Sequence, residues 1–409
     1  MEVSINMFFL IVTALGLVGS TFSWGMYRTG FSLLHSAWTL LPFLLMPLIF
    51  AIGNIFTESL PVTLIRYFSW SGGVWMGFIF YSVLLSIFYG VCWLLGRFSQ
   101  SPNLAPNAAI TIFFIAFLGT GLGVYQALHP HVRRITLRTY KPLTRSMRIV
   151  FASDLHFGTL WGRRYGQKLV SRINAEDPDL VIFGGDLVDR SLSFVMREGS
   201  MDALRSLRAP MGLYSVMGNH DLMAGTGEQE RTYLERMGIR FIVNESIPVS
   251  SSVWITGLDD ERFGKKGYEA PAAQGSDLHI FAEHEPYHVL EASQKEYDLY
   301  FAGHTHGGQF IPLNLITQRR FCAGPWHSGL WEYAGDCIDR PWPVRYSHAS
   351  WRTAGNCGCQ CRTKLKIKKG RYESCVRNGV FTSKFIGEKG EMVLFVGNKS
   401  VFLHAAQFR

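Results

Sequence analysis

Four long apolar runs fill the first third of the chain, and short apolar runs that end in polar residues fill much of the remainder. The long runs cover residues 7–26, 35–56, 70–95 and 108–128, with no Lys, Arg, Asp or Glu inside them. Each is long enough to cross a bilayer, which takes about 20 residues, and none has the polar face of a helix on a soluble protein. Trp24, Trp38, Trp70 and Trp93 lie near their ends, where interfacial aromatics collect. The pattern predicts four transmembrane helices within 1–128. From about residue 146 it predicts buried strands at 148–153, 179–183, 213–217, 253–256, 278–282 and 298–302. Amphipathic helices are expected at 164–176 and 228–237. Alternation of strand and helix implies an α/β layered domain, and no internal repeat stands out.

Charge sharpens this division. Of 409 residues and a net charge of +9, the segment from 341 to 409 holds thirteen Lys/Arg against three Asp/Glu. Arg133, Arg134, Arg138, Lys141, Arg145 and Arg148 follow the last apolar run and suggest a basic juxtamembrane linker over 129–147. Such residues attract anionic headgroups or mark the cytoplasmic side. Nucleic acid is not the expected partner, because no nucleic-acid-binding motif accompanies the charge. Arg66 and the six-residue cluster fall on one side of four crossings, and Arg28 and Arg97 on the other. The positive-inside rule then places the soluble domain in the cytoplasm. Seven cysteines fit a reducing compartment better than a secreted disulfide framework. The first residues lack the positive n-region and cleavage site of a signal peptide. The apolar runs carry no charge of the kind that marks an ion pathway, so the membrane part is expected to anchor rather than transport.

Almost every predicted strand ends in a polar motif. In order these are Asp154-Leu155-His156, Gly185-Asp186-Leu187-Val188-Asp189, Gly218-Asn219-His220-Asp221, His284-Glu285-Pro286 and Gly303-His304-Thr305-His306-Gly307-Gly308-Gln309. Any one alone says little. Together, five strand ends deliver Asp, Asn and His ligands to one sheet edge, where open α/β sheets bind their ligands. Imidazole mixed with oxygen donors suits Mn, Fe or Zn better than Mg or Ca. The absence of thiolates from the five motifs argues against a structural zinc site.

Over residues 146–335 the chain resembles the calcineurin-like metallophosphoesterase superfamily, whose signature D-x-H, G-D-x-x-D, G-N-H-[DE], H and G-H-x-H is present in order. The ending G-H-T-H-G-G-Q is similar to the membrane-associated bacterial branch, which includes lipid A pathway enzymes that cleave UDP-diacylglucosamine. The resemblance implies a four-layer αββα sandwich over 148–335, attached to a cell inner membrane by the four helices. It further implies one metal held by Asp154, His156, Asp186 and His306, and another by Asp186, Asn219, His284 and His304. Asp186 would bridge the two ions, for which Mn is favoured over Fe or Zn. His220 would be the general acid, oriented by Asp221. The expected reaction is hydrolysis of a phosphodiester or pyrophosphate, with a membrane lipid or lipid-linked molecule as substrate. Alternatives are a hydrolase of soluble nucleotides or phosphoproteins that uses the helices as an address, and a non-enzymatic binding protein.

Several residues read more plainly as structural. Asp189 is expected in a turn or supporting a ligand, His288 at the surface, and Arg163 and Arg164 in solvent rather than on a substrate phosphate. Tyr287 stands where relatives often carry an acidic residue. Beyond about residue 335 the family pattern stops. The tail 336–409 brings Cys337, Cys357, Cys359, Cys361 and Cys375 and a Lys-rich stretch from 364 to 371. The cysteines are expected as free thiols before a zinc site. The Lys-rich stretch suits either anionic lipid or solvent, and whether the tail replaces the family's closing strand stays open.

Overall fold

A computed structural model describes residues 2–130, 132–139, 141, 143, 145–223, 227–260, 264, 267–306, 389–395 and 402–405. Its first part is a bundle of four helices, α1 (Glu2–Tyr27), α2 (Leu40–Ile55), α3 (Val62–Phe98) and α4 (Leu104–Leu128). All four are long and apolar enough to cross a membrane. Large apolar side chains such as Leu15, Val18, Ile87 and Leu118 point outward, as they do where hydrocarbon rather than water is the solvent. Small residues let the helices approach closely: the Ser69 hydroxyl donates to the Gly53 carbonyl at 3.0 Å, and a side chain at Gly72 would collide with Phe50.

Two expected boundaries move. The second helix starts at Leu40 rather than near 35, because residues 32–39 form two short 3-10 turns. The third begins at Val62 and includes Arg66. Its 37 residues span about 55 Å at 1.5 Å per residue, well beyond a hydrocarbon core of about 30 Å. Its first turns therefore rise out of the bundle and meet the second domain.

That domain is built on two sheets. The first has the order β1-β10-β2-β3-β4-β5, with β1 (Val132–Arg138), β2 (Arg148–Ala152), β3 (Leu180–Phe183), β4 (Leu213–Ser215), β5 (Ile239–Phe241) and β10 (Lys389–Phe395). The second runs β11-β9-β8-β7-β6, with β6 (Glu245–Ser250), β7 (Val253–Gly257), β8 (Leu278–Ala282), β9 (Leu299–Ala302) and β11 (Phe402–Ala405). Ile149, Phe151 and Ile182 from the first sheet pack against Ile255, Ile280 and Phe301 from the second. The outer face of the first sheet is covered by α5 (Arg163–Ala175) through Leu169, Val170 and Ile173, and by Leu234 of α8 (Gly227–Glu235). On the far face of the second, Phe281 and Tyr300 pack with Ala292 of α9 (Val289–Gln294). The result is a four-layer αββα sandwich.

The sheets reach beyond the expected 148–335 bounds. Residues 389–395 insert between β1 and β2, parallel to β2, and residues 402–405 pair antiparallel with β9. Strands from the tail thus complete both sheets, and the expected linker contributes β1. The tail cysteines and the Lys-rich stretch lie outside the described residues. Part of the juxtamembrane cluster serves the fold as well: Arg134 pairs with Glu176, Arg145 with Asp179, and Lys141 with Asp298 at 3.4 Å.

The sandwich rests on one end of the bundle, where α1 begins, α2 turns into α3 and α4 ends. Arg66 pairs with Glu198 at 3.0 Å, and the Trp70 indole donates to the Leu160 carbonyl at 3.0 Å. Ser191 and Ser193, at the start of α6 (Leu192–Glu198), both donate to Glu58 at 2.6 Å.

Candidate metal centre

Strands β2, β3 and β4 run parallel, as do β7, β8 and β9, so the polar motifs at their ends emerge at shared edges. Just past those edges the backbone bends sharply. Asp154, His156, Asp186, His304 and His306 all have φ between 47 and 70°. Non-glycine residues avoid this region, at a cost of about 1–3 kcal/mol each. Cross-links between loops hold them there: Asp154 N–H donates to the Gly185 carbonyl at 3.1 Å, His156 N–H to the Asp186 carbonyl at 3.0 Å, and His304 N–H to the Asp154 carboxylate at 3.1 Å. Gly218 is required by approach rather than by φ, because a Cβ there would overlap the Asp186 carboxylate.

The side chains meet as acceptors facing acceptors. His284 Nδ1 lies 2.7 Å from the Gly184 carbonyl and donates to it, so a neutral ring offers only a lone pair at Nε2. That lone pair faces Asn219 Oδ1 at 3.1 Å, Asp186 Oδ2 at 3.2 Å and His304 Nδ1 at 3.3 Å. His304 Nδ1 is also 2.8 Å from Asn219 Oδ1, while its other nitrogen sits 3.1 Å from Glu285. A carboxylate on the far nitrogen is the usual support of a metal-binding imidazole. Glu285 therefore acquires a role that its place in His-Glu-Pro did not reveal.

A second convergence lies on the other side of Asp186. His156 Nε2 is 3.3 Å from His306 Nε2 and 3.7 Å from Asp186 Oδ2, and His306 Nε2 is 3.5 Å from Asp154 Oδ1. Donor atoms about 2.1 Å from a common ion would stand about 3.0–3.4 Å apart, close to these spacings. Asp154, His156 and His306 form one compact potential ligand group, and Asp186, His284 and His304 another. Buried lone pairs aimed at one another demand a positive charge. Burial pulls the His284 imidazole down, but Asp186 outweighs it and pushes the ring up to about 10, the response of a site that draws in positive charge. Burial likewise pushes the Asp186 carboxyl up, and the charges of His284, His156 and His220 override it and hold the group well below the usual carboxylate range. The donor set fits divalent cations.

His220 lies close enough to His156 and Asp186 to form a third potential ligand group with them, but its ring has a carboxylate partner of its own. Its Nδ1 lies 3.3 Å from Asp189 Oδ1. Burial lowers this imidazole, but the Asp189 hydrogen bond and the charges of Asp186, Asp189 and Asp221 raise it to about 9. The Asp189 pairing thus favours the protonated ring.

One expectation about a supporting carboxylate is corrected here. The carboxylate that meets the His220 ring is Asp189, not Asp221. Asp221 points below the site, accepting from the N–H groups of Asp186 at 2.9 Å, Gly218 at 2.8 Å and Val188 at 3.2 Å. It sits in the first turn of α7 (Asn219–Met223), and that turn aims it at the neighbouring loop rather than at the adjacent ring. His288, expected at the surface, is partly exposed, and its ring meets Glu283 at 2.6 Å. Arg163 donates to Glu198 rather than facing the centre, and Tyr287 is about half exposed.

The stretch that carries these residues is similar to known proteins. The model of the calcineurin-like phosphoesterase family matches residues 147–308. An uncharacterized metallophosphoesterase of Aquifex aeolicus is 31% identical over 205 residues, covering 47% of this chain and 77% of the relative. The chain belongs to the calcineurin-like phosphoesterase family. Another family relative, the metallophosphoesterase YkuE of Bacillus subtilis, is 29% identical over 202 residues, 47% of this chain and 71% of its own. A bovine transmembrane protein with metallophosphoesterase domain is 26% identical over 264 residues, 58% of each chain, so the match spans less than two thirds of that protein. The name of the bovine relative joins a metallophosphoesterase domain to a membrane protein, and here the calcineurin-like phosphoesterase domain is joined to four helices long enough to span.

Proposed function

We propose that the protein is a membrane-anchored, dinuclear-metal hydrolase of a phosphodiester or pyrophosphate in a lipid-linked molecule. The observation that carries this reading is the convergence of two groups of lone pairs on Asp186, at the edge of the domain that docks on the helix bundle. Asp154, His156, Asp186 and His306 would hold one ion, and Asp186, Asn219, His284 and His304 the other. Bound divalent ions, with Mn favoured, would supply Lewis acidity and a more acidic water. The chain's own part is to fix that geometry and manage a proton. His220, kept protonated by Asp189, donates through Nε2 to the leaving oxygen as the P–O bond breaks.

Support for a lipid-linked substrate comes from placement. The loop after Asp154 and His156 lies on Trp70 of α3, with the Trp70 and Trp161 rings 5.4 Å apart. A phosphate in a lipid headgroup would lie at this level, and a basic flank on the same side suits a cytoplasmic orientation. UDP-diacylglucosamine has the required chemistry. The test compares it with a soluble dinucleotide, both at equal concentration in one detergent with Mn(II). Preference for the lipid of at least about tenfold in kcat/KM is expected, a factor equal to about 1.4 kcal/mol. Equal rates would instead assign the helices to anchoring alone.

A further inference from the structure

One arginine ties the proposed acid to the membrane helices. Arg190 directly follows Asp189, with φ of 67°, and its guanidinium lies 3.2–3.3 Å from the Asp189 carboxylate. The same guanidinium donates from Nη2 to Asn54 Oδ1 at 2.9 Å, and its Cζ lies 4.3 Å over the Phe9 ring. Asn54 belongs to the last turn of α2 and Phe9 to the first turns of α1. The Asn54 amide is itself oriented, since Nδ2 donates to the Phe50 carbonyl at 2.6 Å and leaves Oδ1 for Arg190. Its side chain is the one hydrogen-bonding group in the sequence of α2, and it is buried. A buried amide needs hydrogen-bond partners, and Arg190 supplies the one for its oxygen.

We propose that the transmembrane helices complete the active site. Asn54 and Phe9 hold Arg190, and Arg190 holds Asp189 against His220, which makes Arg190 and Asn54 positioning residues for the leaving-group step. The proposal rests on His220 being the general acid. In that step water forms the new P–O bond and releases its proton to solvent, the bond to the leaving oxygen breaks, and that oxygen takes the proton from His220. A fork-shaped guanidinium suits the task, since it can contact a carboxylate and an amide oxygen at once. Without the helices, Arg190 would lose both of its outer contacts while every ligand of the proposed ions stayed in place. The bundle then does more than anchor: it sets the acid.

The test uses the full chain in detergent with Mn(II) and two diesters. One has p-nitrophenol as its leaving group, which needs little protonation, and the other a simple alkanol, which needs it fully. Asn54→Leu should lower kcat about tenfold or more on the alkyl diester and no more than about twofold on the p-nitrophenyl diester, with KM unchanged on both. Arg190→Lys should show the same selectivity, and serves alone if Asn54→Leu fails to fold. Asn54→Asp, which keeps the acceptor, should restore the alkyl rate. Equal losses on both esters, or none, in the folded variants would overturn the link. His220→Asn is run beside them. If it shows no leaving-group selectivity, the acid assignment itself falls; if it does and the Asn54 and Arg190 variants do not, only the link to the helices falls.

Discussion

Gly185→Ala places the tightest demand on the centre, because the glycine precedes the bridging carboxylate and is closed in on two sides. Its φ is +83°, and a Cβ there would stand 2.7 Å from Gly218 N and 2.8 Å from His284 Nδ1. The left-handed backbone costs an alanine about 1–2 kcal/mol. Relieving the contacts to a separation that is still tight but tolerated takes a shift of about 0.5 Å and an overpacking cost of about 1–3 kcal/mol. The sum, about 2–5 kcal/mol, predicts a melting temperature lower by about 5–15 °C for a domain of this size. Every atom able to move belongs to the centre: Gly218 precedes Asn219, and the hydrogen bond of His284 Nδ1 to Gly184 fixes its lone pair. A displacement of 1 Å can cost about a hundredfold in rate, so half that distance predicts about a tenfold loss of kcat/KM. Thermal melting of the purified full chain and steady-state kinetics on bis-p-nitrophenyl phosphate give both numbers. Gly119→Ala, where a Cβ meets nothing within 4 Å, is the control. A Gly185→Ala protein that melts with the wild type and keeps its rate within twofold would refute the claim that this turn is clamped between the two sheets.

Other consequences are as direct. The His220 imidazolium, raised to about 9, is present below that pH and lost as pH rises through it. Asp189→Asn removes the hydrogen bond that contributes most to the raising, so the alkaline limb of the kcat profile should move to lower pH by about one unit. An unmoved limb would exclude the pairing. Chelation should lower the melting temperature of the wild type by several degrees, since a ligand at a hundred times its Kd stabilises by about 2.7 kcal/mol. Re-addition of Mn(II) should restore it, whereas Asp186→Ala should respond to neither treatment. Arg66 and Glu198 are only partly exposed, and a double-mutant cycle on their pair should give a coupling of about 1 kcal/mol between bundle and sandwich.

The motifs themselves were legible in the sequence because each comes directly after an apolar strand, and parallel strands bring their ends to one edge. The four helices were legible from length and composition alone. Other features were hidden for physical reasons. In β1, the stretch Val132–Arg138 carries three arginines and reads as a juxtamembrane flank, yet its backbone pairs with β10. The β10 and β11 strands come after a long segment without the family pattern, and pairing with β2 and β9 is a tertiary fact that no local period announces. Asp189 rather than Asp221 meets the His220 ring because adjacency to His220 in sequence is not adjacency in space. The short α7 turns Asp221 beneath the loop, and the isolated bridge between Phe157 and Val188 brings the neighbouring Asp189 alongside. Arg190 has the look of an ordinary charge after a motif; only the docking of α1 and α2 gives it partners beyond Asp189.

The most direct measurement is Mn-dependent turnover of bis-p-nitrophenyl phosphate by the full chain in detergent, wild type against Asp186→Ala. Asp186 lies between both groups of lone pairs, with His156 Nε2 at 3.7 Å and His284 Nε2 at 3.2 Å from one oxygen. The wild type should hydrolyse the diester in a reaction that chelation abolishes and Mn(II) restores. The variant should lose at least about a thousandfold, equal to about 4 kcal/mol of transition-state stabilisation. Turnover that persists in Asp186→Ala, or that ignores chelation in the wild type, would contradict a dinuclear centre bridged by Asp186.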